Sequence, residues 1–111
     1  MPARSFFRRV GSFLFGNWFS ASPTDDKAIA DLTESIRLNP EYAKAYLNRG
    51  NAYGEQGDRD KAISDYTEAI RLKPDYAEAY FGRGFAYEEK GDSKKACIDL
   101  ARAQELKGGT N

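Results

Sequence analysis

A 34-residue internal repeat constrains the fold of this chain more than any other feature of its sequence. Residues 43–76 and 77–110 agree at 16 of 34 positions, so that YLNRGNAYGEQGD returns as YFGRGFAYEEKGD. Upstream, residues 26–42 and 60–76 agree at 12 of 17 positions. Repeats of this period are typical of arrays in which each unit packs mainly on its neighbours. The chain is therefore predicted to be such an array.

Each repeat has the pattern of two helices joined by a tight turn. Apolar residues recur at helical spacing over residues 42–53 and again over residues 60–72. Gly57 and Asp58 supply the turn between these segments, and Pro74 ends the second one. Because no strand pattern is present, the sequence predicts an all-α fold.

The matched positions resemble the tetratricopeptide repeat (TPR) family, whose unit is a 34-residue helix–turn–helix. The signature residues of the family correspond to Tyr46, Gly50, Tyr53, Ala62, Tyr66, Ala69 and Pro74, and then to Tyr80, Gly84, Tyr87, Ala96, Leu100 and Ala103. The resemblance implies an all-α, right-handed superhelical stack of antiparallel helix pairs.

In this register the chain divides into four parts. Residues 1–22 form an N-terminal segment, 23–42 the second helix of a partial first repeat, and 43–76 and 77–110 two full repeats. About three repeats are needed for a stable stack, so a further half-repeat is sought upstream of residue 23.

Residues 1–22 are basic and aromatic, and three interpretations of them remain open. The repeat register places Gly16 and Phe19 at the small and tyrosine positions, which predicts a degenerate first helix. A basic start before a short apolar stretch also fits a cleaved signal, although Gly16 and Asn17 interrupt that stretch. The same composition fits a membrane-surface anchor or partner-binding arm. The contacts of such an arm would come from Arg4, Phe6, Phe7, Arg8, Arg9, Phe13, Phe15, Trp18 and Phe19.

The residue inventory argues against catalysis. The chain has no histidine and one cysteine, which excludes histidine-dependent nucleophiles, thiolate zinc sites and an intrachain disulfide. Asp31, Asp65 and Asp99 share one repeat position, and each follows a lysine by four residues, which predicts exposed ion pairs rather than a metal site. Cys97 replaces Ile63 on an apolar face and is predicted to be a packing residue. We expect no enzyme activity, no metal and no cofactor.

Charge is unevenly distributed along the chain. Residues 1–24 hold three arginines and no acid, whereas residues 25–111 hold 14 basic and 17 acidic residues. An acidic body lacks the clustered basic face of nucleic-acid binders, so we expect no nucleic-acid partner. No apolar run reaches the roughly 18 residues of a membrane-spanning helix. A cytoplasmic location is favoured, while residues 1–22 leave membrane association or export open.

The TPR resemblance also implies where a partner binds. In the family, the first helix of each repeat lines a concave groove whose residues vary with the ligand. The groove positions carry Lys44, Leu47, Asn48, Asn51 and Glu55 in one repeat, and Glu78, Phe81, Gly82, Phe85 and Glu89 in the next.

Phe81 and Phe85 beside Gly82 are predicted to form an exposed apolar platform with a gap for a bulky peptide side chain. Asn48 and Asn51 are predicted to hydrogen-bond a peptide backbone. An alternative stays open, in which the platform is covered by the N-terminal segment of the same chain or by another copy.

The sequence therefore predicts a non-enzymatic protein–protein interaction module that binds a peptide or a partner subunit in the groove. The alternative is a membrane-associated adaptor or assembly factor attached through residues 1–22. Homo-oligomerisation is a further expectation, because Ile98 and Ala101 would leave apolar surface open on the last helix.

Overall fold

The computed structural model describes residues 26–108, which form five α-helices and no strand. The helices are α1 (Asp26–Leu38), α2 (Ala43–Glu55), α3 (Arg59–Leu72), α4 (Ala77–Lys90) and α5 (Ser93–Gly108). Each helix packs against the next, and α2 also contacts α4. The predicted all-α stack of helical hairpins is confirmed.

The turns inside the hairpins have the same construction in both repeats. Gly57 and Gly91 adopt φ angles of 88° and 92°, a left-handed conformation that glycine adopts without steric cost. The carboxylate of Asp58 then accepts a hydrogen bond from the backbone N–H of Lys61 at 3.3 Å and caps α3. The turn predicted at residues 57–58 is confirmed.

Small residues bring the helices close together. Eight alanines form most of the core and are at most 6% exposed: Ala45, Ala52, Ala62, Ala69, Ala79, Ala86, Ala96 and Ala103. A Cβ atom added at Gly50 would lie 3.0 Å from Cε1 of Tyr66, and one at Gly84 would lie 2.8 Å from Cγ of Leu100. The predicted close packing at both glycines is confirmed.

A buried ion pair joins the two helices of each full hairpin. Asp65 and Asp99 are each 4% exposed. The Arg49 guanidinium donates to both carboxylate oxygens of Asp65 at 2.8 Å, and Arg83 does the same to Asp99 at 2.8 and 2.9 Å. Hydrogen bonding to these carboxylates raises the pKa of both arginines.

These pairs correct the prediction of exposed lysine pairs at Asp65 and Asp99. Lys61 lies 3.7 Å from Asp58 instead, and Lys95 lies 4.0 Å from Asp92. The guanidinium of a neighbouring helix offers two parallel hydrogen bonds, which a lysine on the same helix cannot match. The predicted lysine–aspartate pair does form in the partial first repeat, where Lys27 lies 3.6 Å from an exposed Asp31.

The same arginines connect successive repeats. Arg49 Nη1 donates to Thr33 Oγ1 at 3.1 Å, and Arg83 Nη1 donates to Thr67 Oγ1 at 3.2 Å. Each arginine therefore links its own hairpin to the second helix of the repeat before it.

The outer face of α5 is exposed, which corrects the prediction for Cys97. Cys97 is exposed rather than packed, and the neighbouring Ile98 is 63% exposed. The reason is that no helix follows α5 among residues 26–108, whereas Ile63, at the equivalent repeat position, is half-buried.

The first helix is the least covered of the five. No residue of α1 is buried, and Ala28 is half-buried although its equivalents Ala62 and Ala96 are at most 1% exposed. The degenerate helix, signal or anchor predicted in residues 1–22 lies outside the described residues. Within residues 26–108, no helix is long and apolar enough to cross a membrane.

Candidate partner-binding surface

The ten predicted groove residues lie on α2 and α4, which contact each other, and we call their shared face the groove surface. Six of the ten are exposed: Lys44, Asn51, Glu55, Glu78, Phe81 and Phe85. Asn48, Gly82 and Glu89 are half-buried, and Leu47 is buried. Binding of a partner by these residues stays a prediction.

Two phenylalanines dominate the exposed apolar area of the groove surface. Phe81 is 59% exposed and Phe85 is 52% exposed. Residues four apart on a helix lie on the same face one turn from each other, so Phe81 and Phe85 are neighbours on one face of α4, and we call this pair the strip.

The gap predicted beside these rings is filled. A Cβ atom at Gly82 would lie 2.5 Å from Cζ and 2.9 Å from the hydroxyl oxygen of Tyr66, so the tyrosine ring occupies the space that the missing side chain leaves. The expected seat for a bulky peptide side chain is therefore occupied by α3, and Gly82 serves to admit the Tyr66 ring.

Tyr66 brings a hydroxyl to the floor of the groove surface. This hydroxyl donates a hydrogen bond to Oδ1 of Asn51 at 2.6 Å. Burial, and then the charges of Glu55 and Asp65, raise the pKa of Tyr66 to about 12. The hydroxyl therefore keeps its proton at neutral pH and fixes the Asn51 amide, whose NH₂ group remains available to a ligand acceptor.

Leu47 belongs to the core rather than to the groove. It is 7% exposed and packs in one cluster with Ala62, Tyr66, Ala69 and Ala79. Phe81 holds the equivalent position in the next repeat, but no further first helix covers it among residues 26–108. The same repeat position is thus a packing position in α2 and an exposed position in α4.

The groove surface carries a negative charge. Its ten residues comprise one lysine and three glutamates, a net charge of −2 (1 − 3). Glu89 is half-buried and accepts a hydrogen bond from Arg59 Nε at 3.2 Å, which ties α4 to the start of α3. Glu55 and Glu78 are exposed.

Tyr66 is the groove residue that the sequence interpretation missed, because it was assigned to packing alone. A signal for it exists in the repeat. Where α3 has Tyr66, the following first helix has Gly82; where α1 has Leu32, the following first helix has Asn48. A larger second-helix residue therefore pairs with a smaller first-helix residue.

No three acidic or sulfur-bearing side chains of residues 26–108 come together as a metal-ion site.

Two family models match the chain. One described as a TPR repeat matches residues 25–57 and 55–91, and one described as a tetratricopeptide repeat matches residues 77–109. A comparison with curated proteins gave no match.

Solved structures of the same architecture include three informative cases. A crystal structure of MamA is 36% identical with a TM-score of 0.76, over 83% of this chain and 53% of that chain. The Arabidopsis OM64 TPR domain is 32% identical with a TM-score of 0.77, over 85% of this chain and 78% of that chain. The first TPR of Spaghetti (RPAP3), bound to the HSP90 peptide SRMEEVD, is 27% identical with a TM-score of 0.76, over 91% of this chain and 79% of that chain.

This chain spans about half the length of two of the MamA chains that it matches. The family models together cover most of its length, and the match over residues 77–109 coincides with the hairpin of α4 and α5. The chain belongs to the tetratricopeptide repeat family.

Proposed function

We propose that this chain is a protein–protein interaction module that binds a peptide segment of a partner on the groove surface. The observation that carries the proposal is the exposed strip of Phe81 and Phe85, at 59% and 52% exposure. Contiguous apolar patches rimmed by polar groups mark interaction sites in soluble proteins. Burying two aromatic rings provides a favourable free energy of roughly 25 cal/mol per Å² of apolar surface.

The polar residues around the strip favour a peptide as the ligand. Asn51 is exposed, and its amide is oriented by the Tyr66 hydroxyl at 2.6 Å. Asn48 lies almost one turn before it on the same helix face. Amide side chains that flank an apolar strip can hydrogen-bond the backbone of a peptide whose side chains pack on the strip.

The charge of the surface favours a neutral or basic peptide. A structural neighbour binds the acidic HSP90 peptide SRMEEVD, which supports peptide binding by this architecture. Here, however, Glu55 and Glu78 are exposed on the groove surface, and only Lys44 opposes them among the ten residues. Like charges across an interface suppress binding, so an acidic tail is a poor ligand for this surface.

The test compares two apolar truncations at exposed sites. A Phe81→Ala, Phe85→Ala variant removes the strip, and Ile98→Ala removes a side chain of similar exposure, 63%, from the outer face of α5. Affinity capture from the native source, quantified by mass spectrometry, should show partners lost from the double variant and kept by the control. A folded double variant that keeps every partner would overturn the proposal.

A further inference from the structure

Two core positions of the repeat lose their cover in the last hairpin. Leu47 is 7% exposed and Tyr66 is 5% exposed, and both pack in one cluster with Ala79 of the following helix α4. Their equivalents one repeat later are Phe81, which is 59% exposed, and Leu100, which is half-buried. The same positions are therefore buried where a first helix follows, and open where none follows among residues 26–108.

Two further positions on the second helix show the same change. Ile63 is half-buried in α3, whereas its equivalent in α5, Cys97, is exposed. Ile70 packs against the core cluster, whereas its equivalent Gln104 is exposed. Both helices pack on the first helix of their own hairpin, so the following helix accounts for the difference. The residues that such a helix would cover form what we call the end face: Phe81, Cys97, Leu100 and Gln104.

Ile98 lies beside the end face but outside it. Its equivalent in α3 is Ser64, which remains exposed although α4 packs on α3. A following first helix therefore does not cover this position. Ile98 provides a matched control for experiments on the adjacent Cys97.

The joints between successive repeats, α1–α2 and α3–α4, show what kind of helix covers such a face. In the α3–α4 joint the incoming helix places Ala79 in the core cluster at 0% exposure. Three residues later Gly82 admits the Tyr66 ring. In the α1–α2 joint the equivalent pair is Asn48 and Leu32. The incoming side chain is thus larger where the second helix has the smaller residue.

The α1–α2 joint is the better template for the end face, because α5 also has a leucine, Leu100, at the position of Leu32. In α2, Ala45 is 1% exposed and Asn48 follows it by three residues. A helix with alanine and asparagine at these two places therefore has the side-chain sizes that the end face requires.

A polar contact near the hairpin turns differs between the joints and α5. Asp26 of α1 accepts a hydrogen bond from Gln56, the residue after α2. Asp60 of α3 forms an ion pair with Lys90, which holds the position of Gln56 at the end of α4. Lys94 replaces the aspartate in α5 and is exposed. An incoming helix that ends in a cation, as α4 does, would meet a like charge, whereas an acid would form an ion pair.

The exposed charges of α5 favour the same kind of ligand. They give the helix surface a net charge of +3 (4 − 1) and comprise Lys94, Lys95, Arg102, Glu105 and Lys107. A basic surface next to an apolar face favours a partner with acidic residues beside its own apolar residues.

We propose that the end face binds an amphipathic helix of a partner protein, in the place of a following first helix. The partner helix presents alanine and, three residues later, asparagine or a residue of similar size to the face. An acidic residue at its carboxyl-terminal end meets Lys94. This site goes beyond the proposed function, because it lies mainly on α5 and shares only Phe81 with the groove surface.

The test uses two synthetic peptides with the sequence of residues 42–56, YAKAYLNRGNAYGEQ, labelled with fluorescein. A lactam bridge on the face away from the contact holds each peptide helical. One probe carries Gln56→Glu and the other Gln56→Lys. Fluorescence anisotropy with the unaltered full chain should show about threefold tighter binding of the glutamate probe, a difference typical of an exposed ion pair. The preference should reverse in a Lys94→Asp chain.

A matched pair of variants locates the bound probe. Cys97→Lys and Ile98→Lys each add a cation to an exposed position of α5, so general attraction of an acidic peptide would strengthen binding by both. Packing on the end face instead predicts that Cys97→Lys weakens binding of the glutamate probe at least about fivefold, because the contact covers the new charge. Ile98→Lys should not weaken it.

Several results would overturn the inference. One is a full chain that binds neither probe with a Kd below about 1 mM. Another is equal affinity of Cys97→Lys and Ile98→Lys for the glutamate probe. Preference of the unaltered chain for the lysine probe would show exchange with α2 beside Asp26 instead. Sedimentation equilibrium tests a second copy: a dimer lost in Cys97→Lys but kept in Ile98→Lys would place another copy, not a partner helix, on the end face.

Capture of native partners separates this site from the proposed function. Cys97→Lys leaves the ten groove residues unchanged, so partners of the groove surface should be kept by this variant and lost from Phe81→Ala, Phe85→Ala. Partners lost from both variants bind at the end face, and the proposed function then fails while this inference stands. If the probes fail and capture still depends on the two phenylalanines, the proposed function stands alone.

Discussion

At the scale of single residues, the groove surface depends on complementary side-chain sizes on two neighbouring helices. Gly82 provides no side chain, and the Tyr66 ring from α3 fills the space and reaches Asn51 with its hydroxyl. A residue of the packing layer thereby becomes part of the floor of the candidate binding surface.

A substitution of Gly82 by alanine should destabilise the fold by about 1–3 kcal/mol, the usual cost of overpacking. The added methyl would lie 2.5 Å from Cζ of Tyr66. The same ring also packs closely against Gly50, where an added Cβ would lie 3.0 Å from Cε1, so the ring has little room to move. Urea denaturation measures the effect. Gly82→Ala with Tyr66→Leu should recover stability, since leucine holds this position in the other repeats.

Gly54→Ala is the matched control for this prediction. A methyl there would lie 3.9 Å from Cβ of Ala62 and 4.0 Å from the Tyr66 hydroxyl oxygen, which is ordinary contact. Replacing a helical glycine by alanine commonly stabilises by about 0.5–1 kcal/mol. Equal stability of Gly82→Ala and Gly54→Ala would contradict the close packing of the Tyr66 ring against Gly82.

The role of Tyr66 illustrates what the sequence alone could predict about the site. Repeat register predicted that Phe81 and Phe85 are exposed, and they are, but Phe81 is exposed because no further first helix covers it among residues 26–108. The register also predicted that Leu47 lines the groove and that Gly82 leaves a gap. In the structure Leu47 is buried, and the Tyr66 ring fills the space at Gly82. Those errors arise because burial also depends on the neighbouring helix, and a periodic pattern does not specify how deep each neighbouring side chain reaches.

At the scale of helices, each full hairpin is held by a charge pair as well as by alanine packing. The Arg49–Asp65 pair spans α2 and α3, with side chains 19% and 6% exposed. The sequence predicted the helices and their turn, but assigned Asp65 to a lysine four residues away. A pair 16 residues apart has no local signature, although arginine and aspartate recur together in both repeats.

An Asp65→Asn substitution should cost about 3 kcal/mol of folding free energy, because it leaves a largely buried guanidinium without its counter-charge. Asp31→Asn is the matched control at the same repeat position. Asp31 is 71% exposed in its pair with Lys27, and exposed pairs contribute little, so the control should lose less than about 0.5 kcal/mol. Chemical denaturation measures the folding free energy of both variants. Similar losses would show that burial of the ion pair does not determine how much it stabilises the fold.

At the scale of the whole molecule, the helices differ in how far neighbouring helices bury them. α1 contains no buried residue, whereas α3 lies between α2 and α4 and buries Ala62, Asp65, Tyr66 and Ala69. Stability in repeat arrays is approximately a sum of unit and neighbour contributions, so a helix with fewer packed neighbours opens more readily.

Hydrogen exchange should therefore be faster in α1 than in α3 of the full chain. Local opening requires less free energy where few apolar contacts are broken, so we expect protection of α1 amides to be lower by at least about tenfold. Exchange monitored by mass spectrometry on peptides from residues 26–38 and 59–72 provides the measurement. Protection of α1 equal to that of α3 would contradict the coverage seen in the structure.

The arginine that links successive repeats has a consequence for protein engineering. Arg49 and Arg83 each donate to a threonine of the preceding second helix, at Thr33 and Thr67. The next residue in this series is Ala101, which has no hydroxyl. A designed array that grafts another hairpin of this sequence after α5 would therefore form one joint without that hydrogen bond, and Ala101→Thr is the single change that would supply the missing hydroxyl.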